Sequence, residues 1–350
     1  MIQKLGILVL IIGLFACNQD PYDVNIDQAH LKVKYLNLDS TFRYSTPRQQ
    51  ISEIKQLIKT DFDLSQFCFP YALQVSTKTD SAFINGLQRT YAHPFYKQIG
   101  KALDQRSKWR YLTFAQISAG MKRLRILAPK VPVAKTVCFA YTQFAASAYA
   151  SEQTIVLGQE RYLGPNHQLI KTLPAQQFYD WIKEGMAPEY ATSDALLIWL
   201  SSNVLKPTDE NLASEMIRWG KMLAIAEIIA PEIPLQRVLR YTKQDLDWAI
   251  KAERGFWEYL VDQQFLFKMD QELNMNLLNE GPYTIGLPQE SPDRMGRFLG
   301  YRIVKQYIDQ EQPTLQVLLD TPYHQILKKY EVPKWAIKSQ KLQKSTFRSV

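Results

Sequence analysis

Pro132 to Gly158 reads PVAKTVCFAYTQFAASAYASEQTIVLG, and the fold class turns on this stretch. Val133, Thr136, Val137, Phe139, Tyr141, Thr142, Phe144, Tyr149, Thr154, Ile155 and Val156 crowd together here. β-Branched and aromatic side chains at that density suit a pleated surface better than a helix. Two or three strands are predicted, forming a small antiparallel sheet. Upstream, Leu31, Val33 and Tyr35 alternate with Lys32 and Lys34, the period of a strand with one buried face, so this segment is predicted to join the sheet.

On both sides the apolar period becomes helical. From Pro47, residues Ile51, Ile54, Leu57 and Ile58 form one stripe. Helix is predicted through Asp80 to Leu103 with a break near His93-Pro94, and again from Lys108 to Leu127, ended by Pro129. After a loop at Tyr162-Leu163-Gly164-Pro165-Asn166, Ser193 is expected to cap a helix to Leu205, and Pro207-Thr208 to open another that ends at Pro231. Thr242 and Asp245 form a capping box for a helix to about Gln263. Ser291-Pro292 offers an N-cap and a first-turn proline for a helix to Tyr307. With no internal repeat and no linker rich in glycine and serine, the expectation is one mostly helical α+β domain over residues 31–333.

The N-terminus reads differently. A single cation, Lys4, precedes the uncharged run LGILVLIIGLFA from Leu5 to Ala16, and Cys17 follows. This run is too short for the ~20 apolar residues of a membrane-spanning helix, and it has the layout of a signal peptide. Leu14-Phe15-Ala16-Cys17 forms a lipobox, so residues 1–16 are predicted to be removed and Cys17 to be acylated. Each buried lipid methylene contributes ~0.8 kcal/mol, and more than one chain makes such an anchor stable. Residues 17–30 then serve as a polar spacer, and the body is exported, tethered to an inner or outer membrane, and periplasm-facing. The formal net charge of +8 is too small and too scattered to point to a nucleic-acid partner. The tail 334–350, with Lys338, Lys341 and Lys344, is either a solvated end or a headgroup-binding patch. Cys68 and Cys138 sit among apolar residues, where buried free thiols are commoner than a bridge.

Common signatures of catalysis are missing. His30, His93, His167 and His324 are far apart in the chain, so no helical zinc pair exists, and no metal or cofactor is expected. The chain has no nucleophile elbow, no dinucleotide loop and no Walker loop. Glu253 and Glu258 share a helix with Trp248 and Trp257, where a buried carboxylate would acquire the raised pKa of an acid catalyst and a wet one would do nothing. The most distinctive stretch is SPDRMGRFLGYRIVKQY, Ser291 to Tyr307, which puts Gly296, Gly300, Ile303 and Tyr307 on one helical face. Each mid-helix glycine costs ~1 kcal/mol relative to alanine unless something approaches closely. That something is either a neighbouring helix or a ligand lying across the glycines. Arg294, Arg297, Arg302 and Lys305 rule out a bilayer helix.

These landmarks in order resemble the gliding-motility lipoproteins called GldB, found in the Bacteroidota. The likeness covers most of the chain after Cys17. It rests on the acylated cysteine, VLGQERYLG ending at Tyr162-Leu163-Gly164, Trp219-Gly220-Lys221-Met222-Leu223 before Pro231, Glu253 with Trp257, and SPDRMGRFLGYRIVKQY. The resemblance implies an envelope lipoprotein associated with gliding and its shared secretion machinery, without an established reaction. At one remove, the order of elements is similar to a zinc peptidase of the HExxH kind, whose first helix carries two histidines and a general base. Here that helix reads Ile217-Arg218-Trp219-Gly220-Lys221-Met222, which implies the scaffold without its metal. Residues implied to line a remaining cleft are Glu253, Trp257, Arg294, Gly296, Gly300 and Tyr301. The alternatives are an envelope hydrolase with unconventional ligands and a peptide- or glycan-binding lipoprotein.

Overall fold

Val137-Cys138-Phe139-Ala140 and Ile155-Val156-Leu157 are apolar at every position, so a strand made of either must be covered on both faces. The computed structural model, which describes residues 20–207 and 211–333, shows this burial. Strands β1 (Lys34–Asn37), β2 (Thr136–Ala140), β3 (Ala148–Ala150) and β4 (Thr154–Gly158) form one sheet in the order β1-β2-β4-β3. Val137, Phe139, Ile155 and Leu157 face a large core with Trp199, Met216, Phe256 and Phe298. Cys138, Ala140 and Val156 face a second core with Phe42, Phe69, Phe83 and Ile99. Burying each such large side chain contributes roughly 1.5–3 kcal/mol, so the sheet ties two helical layers together.

The antiparallel sheet expected from the sequence is corrected to a mixed one. β1 runs parallel to β2, with Tyr35 opposite Val137, and β2 runs parallel to β4, with Cys138 opposite Val156. Only β3 is antiparallel to its neighbour β4. The reason is the length of the connections. A long helical segment, Leu38 to Leu127, separates β1 from β2, and the turn plus β3 separate β2 from β4, so both connections can return the chain to the same end of the sheet. The first strand also begins later than its alternation implied, at Lys34 rather than Leu31.

Most helix limits follow from local chemistry. Pro47–Thr60 starts on a Thr46/Gln49 capping box with proline in the first turn. Asp80–Ala92 and Pro94–Gln105 part where Pro94 forces His93 into an extended conformation. Lys108–Leu127 stops before Pro129, and Lys243–Asp262 opens on the Thr242/Asp245 box. Three expected starts move. Ser193 lies inside Ala191–Trp199 rather than at its cap, its hydroxyl bonding back to Tyr190 O, and the wider turns Leu200–Val204 continue that helix. The next helix is Leu212–Ile229, capped by Asn211, whose side chain takes the Ser214 N–H. Thr208, expected to open it, lies outside the described residues. The Ser291-Pro292 start is also corrected: the helix is Met295–Glu311, delayed because Arg294 adopts a left-handed conformation and the Thr284 hydroxyl takes the Met295 N–H.

Cys17, the signal segment and the basic tail 334–350 lie outside the described residues. Among the described residues, no helix is long and apolar enough to cross a membrane. Cys68 and Cys138 are both buried free thiols.

Candidate functional site

β4 ends at Gly158 and runs directly into a 3-10 turn, Gln159–Tyr162, whose three consecutive side chains Glu160, Arg161 and Tyr162 each do a separate job. Glu160 is fully buried. Its Oε1 accepts hydrogen bonds from Thr142 N at 3.0 Å, Thr142 Oγ1 at 2.7 Å and Phe144 N at 2.7 Å, clamping a loop in which Gln143 and Phe144 are left-handed. Burial pushes the Glu160 carboxyl up, against the pull of those donors. Arg161 donates to Phe144 O from Nε at 2.9 Å and from its terminal nitrogen at 2.5 Å. Tyr162 donates to Asp194 at 2.9 Å. Asp194 in turn accepts from Arg240 at 2.7 Å on both oxygens, and Arg240 also donates to Gly185 O at 2.5 Å.

The opposite wall is Ser291-Pro292-Asp293-Arg294. Asp293 accepts from Gly281 N at 3.1 Å and pairs with Arg294 Nε at 2.9 Å, while Tyr241 and Thr284 donate to the Asp293 and Pro292 carbonyls. Between the walls lies a cleft of about 460 Å³, the size of a small-ligand site, lined by Arg161, Arg240, Arg294, Glu280 and the Ser291–Arg294 turn. Arg240 and Arg294 both hold φ near +60°, a conformation that costs a non-glycine residue free energy and often marks functional sites. Glu280 stands half-exposed in the cleft, 3.6 Å from Arg294. Burial opposes its ionisation, but Arg294, Arg240, Arg297 and Arg161 outweigh this and hold its carboxyl below the usual range. Arg297 lies behind, its guanidinium 3.4 Å from the Trp219 ring centre, where burial and then Arg294 disfavour its charge. Guanidinium groups keep their protons at physiological pH and present fixed forks of donors, and here Arg161, Arg240 and Arg294 stand among the carboxylates of Glu184, Asp245, Glu280, Glu290 and Asp293. Among the described residues no group of His, Cys, Asp and Glu is arranged to hold a metal ion.

Of the six residues implied to line a cleft, Arg294 alone lines this one. Glu253 is buried elsewhere, accepting from Arg302 at 2.9 Å and Tyr330 at 3.0 Å, and Trp257 packs edge-on against Tyr330. Glu258 is on the wet face, paired with Arg254. Tyr301 donates to Glu227 at 2.9 Å. The glycines are closed off by backbone. A Cβ added at Gly300 would lie 1.9 Å from Met216 O, one at Gly220 would lie 2.2 Å from Gly300 O, and one at Gly296 would lie 2.9 Å from Leu277 O. A helix, not a ligand, therefore lies across Gly300. Sequence reasoning missed Arg161, Arg240, Asp194 and Glu280. Arg161 was within reach, since it stands in the VLGQERYLG segment that carries the resemblance.

Fold and cleft together define a mostly helical α+β protein with a cleft lined by arginine and acidic side chains. Residues 19–332 match the model of the family described as gliding motility protein GldB, and the chain belongs to that family. This membership makes it a gliding-motility-associated lipoprotein. No curated protein and no solved structure matches the chain.

Proposed function

We propose that this chain is a lipid-anchored protein of the cell envelope with a non-catalytic role in assembling the gliding machinery and the secretion apparatus it shares. In this reading residues 1–16 are a removed signal, Cys17 carries the acyl anchor, and the body faces the periplasm and holds another envelope protein. The observation that carries it is the make-up of the cleft walls. Arg161, Arg240 and Arg294 are fixed by Phe144 O, Asp194 and Asp293 and stand among the acidic side chains Glu184, Asp245, Glu280 and Glu290, an arrangement of held charges of both signs that is suited to gripping a partner. In the same reading the scaffold is peptidase-like without its metal, and Glu253 serves as a packing residue held by Arg302 and Tyr330.

Two measurements in a gliding strain test this. Deleting the gene should impair surface movement or protein export, and complementation with Cys17→Ser should fail to restore it. Reversible crosslinking in native membranes should co-purify envelope partners with the wild-type chain. Normal movement and export in the deletion strain would overturn the proposal.

A further inference from the structure

The segment that follows Cys17 and the one that precedes the basic tail meet at one place on the body. Tyr22 packs against the large core, and its hydroxyl donates to Pro313 O at 2.6 Å, just past the C-terminal end of the Met295–Glu311 helix. Cys17 stands three positions before Asp20, at most about 11 Å of chain. From the other side, Lys329 pairs with Glu311 at 2.6 Å, and Glu331 exchanges hydrogen bonds of 2.7 and 3.2 Å with the Gln306 side chain. Both segments therefore lie on the last turns of one helix. We propose that the tail 334–350 is a second membrane attachment, to anionic phospholipid, and that with acylated Cys17 it turns this end of the helix toward the bilayer and the cleft away from it. The proposal rests on the lipid-anchored reading above and adds the class of lipid and the orientation.

The tail carries Lys334, Lys338, Lys341, Lys344 and Arg348 and no acidic residue. Trp335 and Phe347 stand among them, aromatic types that favour the boundary between headgroups and acyl chains. Each cation near an anionic leaflet strengthens binding about fivefold. Around its meeting place the body exposes more acid than base, Asp20, Asp23, Asp309 and Glu311 against Lys328 and Lys329, so the charge that meets the lipid has to come from the tail. Acyl chains alone hold the body but let it swivel about one point. A second attachment beside the first fixes its orientation. Because the anchor has already brought the tail to the surface, this second step is intramolecular, and contacts that are weak one by one suffice. The helix has 17 residues and is about 25 Å long, and Arg294 at its start lines the cleft. Held by its far end, it presents the cleft to water rather than to lipid.

The first test uses residues 17–350 carrying Cys17→Ser, so that no lipid is attached, and sedimentation with vesicles of phosphatidylcholine alone or mixed equally with phosphatidylglycerol. Salt is held at about 0.1 M, where the Debye length is about 10 Å. The chain should sediment with the mixed vesicles and stay free of phosphatidylcholine. Lys338→Gln together with Lys341→Gln should weaken this binding about 25-fold, two steps of about fivefold. Orientation is read on the acylated chain in the mixed vesicles, by energy transfer to labelled lipid from a dye at Gln310→Cys or at Gln289→Cys. Gln310 is exposed near the end of the helix, Gln289 is exposed at the cleft rim, and the buried Cys68 and Cys138 stay unlabelled. Transfer should be stronger from position 310, and the double lysine variant should narrow the difference. Equal binding to both vesicles, binding indifferent to the two lysines, or equal transfer from the two positions overturns the proposal. So does a tail that settles on the acids of its own body, which would leave the chain in the supernatant. The sedimentation assay needs no acylation, so its failure leaves the anchor reading standing, and an unmodified Cys17 in native material removes that reading without touching the tail result.

Discussion

Replacing Gly300 by alanine tests the central packing of the fold. Helix propensity alone predicts a gain of ~1 kcal/mol. Geometry predicts the opposite, because the new methyl would lie 1.9 Å from Met216 O and 2.6 Å from its carbonyl carbon. These are backbone atoms, which cannot swing aside as a side chain would. To reach ordinary contact near 3.4 Å, the Met295–Glu311 and Leu212–Ile229 helices would have to part locally by about 1.5 Å, and a gap of that order forfeits half or more of each dispersion contact it opens. Overpacking of this kind costs about 1–3 kcal/mol, at times more, and here it falls on two helices that are buried along most of their length. With the propensity gain set against the upper end of that range, a net loss of about 2 kcal/mol is expected, read as a lower urea midpoint with an unchanged slope. Gly220→Ala should cost a similar amount, since its methyl would meet Gly300 O at 2.2 Å. The double variant should cost less than the sum, because one separation of the helices relieves both clashes. Full additivity, or a Gly300→Ala protein as stable as wild type, would refute the claim that these backbones touch.

Arg302→Ala should destabilise by about 2–3 kcal/mol in the same urea assay, because it leaves the buried Glu253 carboxylate with Tyr330 as its remaining donor, and Glu253→Gln in that background should restore part of the loss. Cys68 and Cys138 should both resist a thiol reagent at pH 8 in the native chain and react in denaturant, since burial raises both thiols, Cys68 well above its ordinary value. Glu280→Gln should lower stability at neutral pH but not in acid. The folded chain holds this carboxyl below its ordinary 4.5, so its contribution is complete above about pH 4.5 and is lost as pH falls through the folded value. The gap between the two unfolding curves should therefore close on acidification, and a gap that is constant with pH would show that Glu280 does not feel the arginines.

The sequence located the sheet but not its pairing. Strand positions were legible because Val137, Phe139, Ile155 and Val156 belong to residue types that favour pleated surfaces. Direction was not, since Tyr35 and its opposite Val137 are about a hundred residues apart and no local signal links them. A clue did exist: Val137-Cys138-Phe139-Ala140 lacks the polar alternation of a one-sided antiparallel strand. The late helix start at Met295 was hidden for another reason. Ser291-Pro292 has the ordinary composition of an N-terminus, and the reversal that delays the helix falls on Arg294, a residue type that gives no warning of a left-handed conformation. Close approach to Gly300 was legible from the cost of a buried helical glycine, and its partner Gly220 stands in a segment already singled out as a landmark. The cleft was mostly illegible because its arginines gather from positions 161, 240, 294 and 297, and only tertiary structure brings such residues together.

The two landmark segments, Gln159–Tyr162 and Ser291–Arg294, face each other across that cleft, and the sheet explains why. Ligand sites in parallel sheets tend to lie beyond the carboxyl ends of the strands, where chain directions agree and loops converge. β2 and β4 are parallel here, and the turn after β4 carries Arg161 to such a position. A 3-10 turn has three residues per turn, so successive side chains leave it about 120° apart. Glu160 therefore enters the core, Tyr162 reaches Asp194, and Arg161 is left for the cleft. Because Asp194 holds Arg240, one short turn sets two of the guanidiniums, and the rigidity of β4 is passed to the cleft through side chains that are themselves buried. A loop alone could not hold charges this close together in register. The packed sheet supplies that constraint, and the half-exposed Glu280, beyond the end of its helix, meets the held arginines from the other side.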